Sequence, residues 1–245
     1  MKRPLWIAGL LLAVAAPFTL SAADHPAVAR EMAGVWLPDS RRSERFPPWP
    51  LNAEAKQAAE HYQKKYGPID PTIDDANTSC LPESLPYSMR LLAQYPFEVL
   101  FTADRVTIFF EIYGGVRRIR LDPNPGSLEV LASAMGQSFA HWEGDTLVVE
   151  TTNIRKEGFG IYSGNPPASS ARRIIERISL VRNPDGSKQL RNEMTILDPV
   201  VLTAPVKMQM FYKWSPDIEV GEYLCQQDIW DQNVQGSPSS VPWRQ

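Results

Sequence analysis

The sequence predicts a mainly β protein whose strands form an antiparallel meander that closes into a barrel. From residue 96 onward, hydrophobic and polar residues alternate, and pairs of turn residues interrupt the alternation at short intervals. The chain contains 22 prolines and 14 glycines in 245 residues, which favours long Pro-rich loops over a helical bundle. Closure of the meander is expected because it removes exposed strand edges.

The N-terminal part is predicted to contain one strand and one short helix. Gly34-Val35-Trp36 opens the strand, and a Pro-rich connection follows. Asn52 is a suitable N-cap for a helix from Ala53 to Tyr66, which is rich in Ala, Glu, Lys and Gln. Gly67-Pro68 ends this helix. The later strands are predicted at residues 97–102, 105–113, 116–121, 137–143, 146–153, 172–182, 189–197, 207–214 and 219–227.

Residues 1–23 have the pattern of a secretory signal peptide. Lys2 and Arg3 precede an apolar stretch, and Ser21-Ala22-Ala23 offers small residues for cleavage. The alternative is an uncleaved membrane anchor, but the apolar stretch is shorter than the roughly 20 residues that span a bilayer. We therefore expect a periplasmic or secreted protein without an integral membrane segment in the mature chain.

The rest of the chain is divided by composition into three parts. Residues 24–95 would hold the first strand, the helix and an irregular Pro-rich segment packed on the barrel. Residues 96–230 would form the barrel domain, and residues 231–245 a flexible C-terminal tail.

Composition and motifs narrow the classes of function. The formal net charge is −3, so nucleic acid is not an expected partner. The sequence has no phosphate-binding glycine loop, no Gly-x-Ser-x-Gly elbow and no cluster of metal ligands, so we expect neither a cofactor nor a metal. In an exported protein, Cys80 and Cys225 are expected to form one disulfide; the alternative is a lone catalytic thiol.

The segment Trp142-Glu-Gly-Asp-Thr-Leu-Val-Val149 resembles the central motif of a largely uncharacterised family of exported bacterial proteins. The similarity extends from Cys80 to Cys225 and includes Tyr95-Pro96-Phe97-Glu98 and Glu176-Arg177. Gln137 stands where relatives often have histidine, and Pro123-Asn124-Pro125 replaces an Asp-Gly-Arg-type turn. The resemblance implies export and a β-rich fold, and it implies no particular activity.

Gly34-Val35-Trp36 is also similar to the Gly-x-Trp opening of lipocalin-type barrels. This second resemblance implies a calycin-like barrel.

The first hairpin is predicted to turn at Gly114-Gly115. A two-residue turn there would place Glu111 directly opposite Arg118. One face of the hairpin is apolar apart from Arg117 and is the predicted core face. The other carries Phe109, Tyr113, Glu111 and Arg118, which would either line a ligand cavity or form a salt bridge on the barrel exterior.

The second hairpin is predicted to turn at Gly144-Asp145, which places His141 opposite Val148 and Phe139 opposite Glu150. His141 and Glu150 then become diagonal neighbours on one face. An imidazole beside a carboxylate can transfer protons near neutral pH, although such a pair is also a common structural hydrogen bond.

Two further strands carry candidate site residues. Glu176 shares a face with isoleucines and a leucine, and burial would disfavour its charged form unless a cation such as Arg118 or Arg173 pairs with it. Along a later strand four large side chains alternate, and they form either core packing or a deformable apolar wall: Met208, Met210, Tyr212 and Trp214.

Two functions follow from these predictions. The first is a binding barrel for a small hydrophobic or aromatic molecule, contacted by the side chains of Glu111, Arg118, Tyr113, Phe109 and the Met208–Trp214 stripe. The second is a cofactor-free isomerase, cyclase, lyase or hydratase that uses His141, Glu150 and Glu176 as acid and base. Both require Glu111, Arg118, His141, Glu150 and Glu176 to converge in one internal cavity.

Overall fold

The computed structural model describes residues 26–44, 47–66, 84–90, 95–121, 131–155 and 168–223. Its strands form a closed calycin-like barrel in which nine strands follow one another in chain order. The strands are β1 (Gly34–Pro38), β2 (Phe97–Thr102), β3 (Arg105–Phe110), β4 (Val116–Arg120), β5 (Gln137–Glu143), β6 (Thr146–Thr152), β7 (Arg173–Arg182), β8 (Lys188–Leu197) and β9 (Val206–Trp214). The helices are α1 (Ala27–Met32), α2 (Ala53–Tyr66) and α3 (Tyr87–Arg90).

The barrel predicted from the sequence is confirmed, and most predicted strands match observed strands to within one residue at each end. The exceptions are β3, which ends at Phe110, and the strand predicted at residues 219–227. Residues 219–223 adopt no regular structure, and residues 224–227 lie outside the described residues.

The barrel closes through β1, which pairs with both β2 and β9. Trp36 lies opposite Phe97 on one side and opposite Trp214 on the other. β1 is therefore a strand of the barrel itself, whereas the sequence assigned it to a segment packed on the barrel. Trp36 is fully buried, and its indole Nε1 donates a hydrogen bond to the carbonyl oxygen of Met32 at 3.0 Å.

One strand pair departs from the predicted antiparallel meander. β4 and β5 are parallel and share only two residue pairs, Ile119 with Ser138 and Arg120 with Phe139. Every other neighbouring pair in the barrel is antiparallel. A closed ring with an odd number of strands cannot alternate direction throughout, so a nine-strand barrel requires at least one parallel pair.

The strand directions define two ends of the barrel. The β2–β3, β5–β6 and β7–β8 hairpins lie at one end, which we call the upper end, together with the start of β1. α1 directly precedes β1 at this end, where Ala29 and Met32 are buried and Glu31 forms an ion pair with Arg182. The lower end holds the β3–β4 hairpin, the end of β6, the start of β7 and the connection from β8 to β9.

α2 forms where the sequence predicts it. Asn52 caps the helix as expected, because its side-chain oxygen accepts a hydrogen bond from the backbone N–H of Ala55 at 2.8 Å. Its side-chain amide also donates to the carbonyl oxygen of Val200 at 2.8 Å, which ties the start of α2 to the segment after β8. Among the described residues, no helix combines the length and apolar character needed to cross a bilayer.

The register of the β5–β6 hairpin is confirmed. His141 lies opposite Val148, and Phe139 lies opposite Glu150, as a turn at Gly144-Asp145 requires.

The register predicted for the β3–β4 hairpin is wrong. Arg118 lies opposite Thr107, while Glu111 lies beyond the end of β3 in the five-residue loop that precedes Val116. The loop is longer than predicted because Tyr113 adopts a positive φ of 58° and joins Gly114 in the turn. The shift preserves the alternation of faces, so Arg117 still points into the barrel, as the core-face pattern indicated.

Candidate functional site

The upper half of the barrel interior contains an apolar cavity. Its volume is about 20 Å³, enough for roughly one water molecule. Twelve residues line it, all of them apolar or aromatic: Met32, Met89, Phe97, Val99, Phe101, Val106, Ile108, Ile119, Leu147, Ile178, Leu190 and Tyr212. A cavity with such walls favours an apolar occupant over water.

Two of the lining side chains come from helices rather than from strands. Met32 ends α1, and Met89 lies in α3, so both methionines cover the cavity from outside the ring of strands. Methionine is unbranched and has three rotatable bonds, which lets it adopt other rotamers at low cost. A change of rotamer in these two side chains would widen the cavity without breaking a strand pair.

A layer of polar side chains lies in the barrel interior around a fully buried ion pair between Arg117 of β4 and Glu176 of β7. Arg117 Nη1 donates to Glu176 Oε1 at 3.2 Å, and Nη2 donates to the other carboxylate oxygen. This two-pronged arrangement is the strongest geometry for a guanidinium and a carboxylate. The strands β5 and β6 separate the two residues along the sheet, so the pair crosses the lumen.

Two further N–H groups of Arg117 donate hydrogen bonds to hydroxyl groups. Nε donates to Ser138 Oγ at 3.3 Å, and Nη2 also donates to Thr151 Oγ1 at 2.9 Å. The two hydroxyl oxygens are 2.8 Å apart and share a hydrogen bond with each other. The structure thus gives partners for four of the five N–H donors of Arg117, and such pairing allows a charged group to be excluded from water.

On the other side of the carboxylate, Asn192 Nδ2 donates to Glu176 Oε1 at 2.8 Å. Asn192 is fully buried in β8, directly opposite Ile178 of β7. The layer therefore extends from β4 to β8, beneath the apolar cavity.

Tyr212 connects the cavity with α3. Its ring lines the cavity, and its hydroxyl donates to the carbonyl oxygen of Met89 at 2.7 Å. Burial raises the pKa of this phenol well above its ordinary value, and the negative charge of Glu176 raises it further. Tyr212 is therefore a neutral hydrogen-bond donor throughout the physiological pH range.

The structure does not bring the predicted acid–base residues together. Glu176 points into the barrel, whereas His141 is on the outer face with two-thirds of its side chain exposed. His141 Nε2 is 3.2 Å from Glu143 Oε1, and Glu143 also pairs with Arg177 at 2.9 Å. The expectation of a common cavity is wrong for His141, because odd-numbered residues of β5 face outward.

Glu150 also lies on the outer face. It forms a half-exposed ion pair with Arg173 of the neighbouring strand, with Arg173 Nε 2.5 Å from its carboxylate. Arg173 is therefore not the partner of Glu176, and neither is Arg118, which is exposed on β4. The cation that pairs with Glu176 is Arg117, which the sequence marked only as an interruption of the core face.

The predicted pair of Glu111 with Arg118 is absent from the structure. Glu111 lies in the loop at the lower end, where its carboxylate accepts a hydrogen bond from the backbone N–H of Gly221 at 2.7 Å. Tyr113 occupies the same loop, half-buried, with its ring 5.0 Å from that of Tyr223. Phe109 is half-buried on the outer face of β3. None of these four side chains lines the interior cavity.

The stripe on β9 divides between the two alternatives left open by the sequence. Met208, Met210 and Tyr212 are buried and point inward, which is core packing, and of these only Tyr212 lines the cavity. Trp214 lies half-buried at the strand end, with its ring 5.0 Å from that of Trp36. The ammonium group of Lys188 lies 3.6 Å from the centre of the Trp214 ring, a cation–π contact that covers this end of the sheet.

The predicted signal peptide at residues 1–23, the predicted disulfide between Cys80 and Cys225, and the predicted C-terminal tail at residues 231–245 lie outside the described residues. Within the described ranges, no group of three or more His, Cys, Asp or Glu side chains is arranged to hold a metal ion.

In comparisons with known proteins, no protein-family model matches the chain, and no curated protein is significantly similar to it. The chemistry of the site therefore rests on the geometry of its own residues: an apolar cavity covered by the side chains of Met32 and Met89, with a charge-neutral polar layer below it.

Proposed function

We propose that the protein binds a small hydrophobic or aromatic molecule inside the upper half of the barrel. The observation that carries this proposal is the cavity itself, which has apolar walls on every side and is covered by the side chains of Met32 and Met89. In its present size the cavity holds no more than about one water molecule, so binding requires that these two side chains move aside.

The driving force for binding is the transfer of apolar surface out of water. Burial contributes about 25 cal/mol per Å², so a single aromatic ring is enough for measurable affinity after the cost of association. The walls favour a ligand that is mostly hydrocarbon, because the described lining offers no charged group.

Toluene is a suitable probe for this proposal. In protein labelled with ¹³C at the methionine methyl groups, saturable addition of toluene should shift the signals of Met32 and Met89. The signal of Met208 should not move, because this residue lies toward the lower end of the barrel. Absence of a saturable shift at both cavity methionines would contradict the proposal.

A matched pair of variants tests the location. Val106→Met adds one heavy atom to the cavity wall and should weaken toluene binding at least several-fold by filling the space. Val206→Met adds the same atom to an inward valine toward the lower end, outside the cavity lining, and should leave binding unchanged. Equal effects of the two variants would show that toluene binds elsewhere.

Catalysis by His141, Glu150 and Glu176 is not part of the proposed function. His141 and Glu150 face the outside, while Glu176 is enclosed and already held by Arg117. A general acid or base has to reach the reacting atoms, and these three groups share no space in which a substrate could meet them all.

We also propose that the protein is exported, with cleavage after Ala23 and a disulfide between Cys80 and Cys225. The sequence supports this through the signal-peptide pattern and the pair of cysteines. Intact mass of protein recovered from its native host should correspond to a chain starting at Asp24. Non-reducing peptide mapping should then find the two cysteines in one linked pair, and two free thiols would contradict the disulfide.

A further inference from the structure

Of the two polar atoms in the side-chain amide of Asn192, Nδ2 forms a hydrogen bond with a described residue and Oδ1 does not. Its Nδ2 donates to Glu176 Oε1, and this bond fixes the orientation of the amide because a carboxylate oxygen can only accept. The other arm, Oδ1, is buried, and no group in the described part of the chain donates a hydrogen bond to it. A buried acceptor without a donor costs about 1–3 kcal/mol.

The position of Asn192 relates this acceptor to the cavity. Ile178 lies directly opposite Asn192 on β7, and Leu190 precedes it by two residues on the same inward face. Both neighbours line the cavity, and Tyr212, which lies opposite Leu190, lines it as well. Asn192 is not among the residues that line the cavity, so its amide lies directly below the cavity floor, next to Ile178 and Leu190.

We propose that the cavity prefers hydrophobic molecules that carry one hydrogen-bond donor, such as a phenol, an alcohol or an amine, and that this donor binds Asn192 Oδ1. The inference rests on the proposed function, since it names the class of ligand for the same cavity. The apolar body of the ligand fills the upper space, while its donor reaches the floor and satisfies the acceptor.

The other polar groups of the floor do not compete for this role. Arg117 and Glu176 neutralise each other, and the hydroxyl of Tyr212 donates to the Met89 carbonyl while it also contacts the side chain of Asn192. A ligand whose only polar group is an acceptor finds no comparable open partner there. A charged ligand gains no ion pair that would offset the loss of its hydration.

Three probes of nearly equal shape separate these possibilities: toluene, p-cresol and 4-methylanisole. p-Cresol is toluene with a hydroxyl group, and 4-methylanisole keeps the oxygen but has no donor. Because a hydroxyl is costly to remove from water, an apolar cavity without an acceptor would bind p-cresol more weakly than toluene. With Asn192 Oδ1 as acceptor, p-cresol should bind about ten-fold more tightly than toluene, and 4-methylanisole should gain nothing over toluene.

Titration of the unaltered protein with the three probes tests the preference for a hydrogen-bond donor without any variant. Toluene binding with no preference for p-cresol would overturn the donor preference and leave the proposed function standing. Failure of all three probes to bind would overturn the proposed function together with the inference.

Variants then assign the preference to one residue. Asn192→Leu keeps a similar side-chain volume and should retain toluene binding while reducing the preference for p-cresol to less than about two-fold. Met210→Leu changes the residue directly opposite Asn192 on β9 and should keep the full preference. A preference that persists in Asn192→Leu would overturn the assignment to this amide.

Discussion

The ion pair between Arg117 and Glu176 should be the most sensitive polar contact in the barrel. Arg117→Met leaves a buried carboxylate whose remaining partner is Asn192, and Glu176→Gln leaves a buried guanidinium without its counter-charge. Removal of one partner from a buried pair costs about 3–5 kcal/mol. For a chain of this size, each change should lower the melting temperature by about 6–20 °C.

The double variant distinguishes a true pair from two independent contacts. When Arg117→Met and Glu176→Gln are combined, no uncompensated charge remains, so the combined cost should fall below the sum of the single costs by at least about 2 kcal/mol. Urea unfolding of the four proteins, followed by tryptophan fluorescence, gives the required free energies. Additive costs, with a coupling energy below about 1 kcal/mol, would refute the reasoning.

The exposed pair between Arg173 and Glu150 is the matched control. It joins neighbouring strands on the outer face, and both side chains are 46% exposed. Surface ion pairs contribute about 0–1 kcal/mol because solvent and salt screen them. Arg173→Met and Glu150→Gln should therefore leave the unfolding free energy nearly unchanged, and large effects there would show that burial is not the deciding factor.

Tyr212→Phe should cost about 1–3 kcal/mol at neutral pH, because it leaves a backbone carbonyl of α3 without its donor. Because the pKa of the phenol is raised in the folded state, its contribution to stability is fully present below pH 10 and is lost as the pH rises further. The parent protein should therefore lose more unfolding free energy between pH 9 and pH 11 than the Tyr212→Phe variant, as measured by urea unfolding. Gly136→Ala should lower the unfolding free energy by more than about 2 kcal/mol, because φ is +60° and a Cβ would lie 2.5 Å from a backbone oxygen of β6. Gly144→Ala is the control, since φ is +57° but the space around it is open, and it should cost only about 1–2 kcal/mol in the same assay. Arg177→Ala should raise the pKa of Glu143, which Arg177 and, to a smaller extent, His141 hold below its ordinary value; carboxyl-carbon NMR titration measures this, and an unchanged pKa would contradict the assigned contact.

Strand positions were predictable because the barrel is filled by its own side chains. Each strand must turn alternate residues toward the lumen, so the period of two appears directly in the sequence. The hairpin at Gly144-Asp145 was predictable for a similar reason, since a two-residue turn fixes the register of both strands. At Gly114-Gly115 the same rule failed, because Tyr113 adopts a conformation that is uncommon for residues other than glycine and lengthens the loop.

For the candidate site, the sequence predicted which side chains point inward but not which of them contact each other. Alternation placed both Arg117 and Glu176 on core faces, but these residues belong to strands that are not neighbours in the barrel. Their contact depends on the closure of the ring, and closure depends on a parallel strand pair that the period-two pattern does not predict. His141 was misplaced for a simpler reason, since alternation separates the two faces of β5 without naming which one is inside.

The parallel junction of β4 and β5 is the shortest strand pairing in the ring, and it separates two antiparallel sheets, β1 to β4 and β5 to β9. β5 to β9 are joined by consecutive antiparallel pairings, whereas β1 to β4 meet this sheet only at the β4–β5 junction and at the β1–β9 junction. Because this junction has only two residue pairs, we expect local opening of the barrel to start there and its backbone amides to exchange with solvent early. Arg117 lies in the first sheet, while Ser138, Thr151 and Glu176 lie in the second. The hydrogen bonds and the ion pair of the Arg117 guanidinium therefore connect the two sheets across the lumen, in addition to the short pairing between β4 and β5.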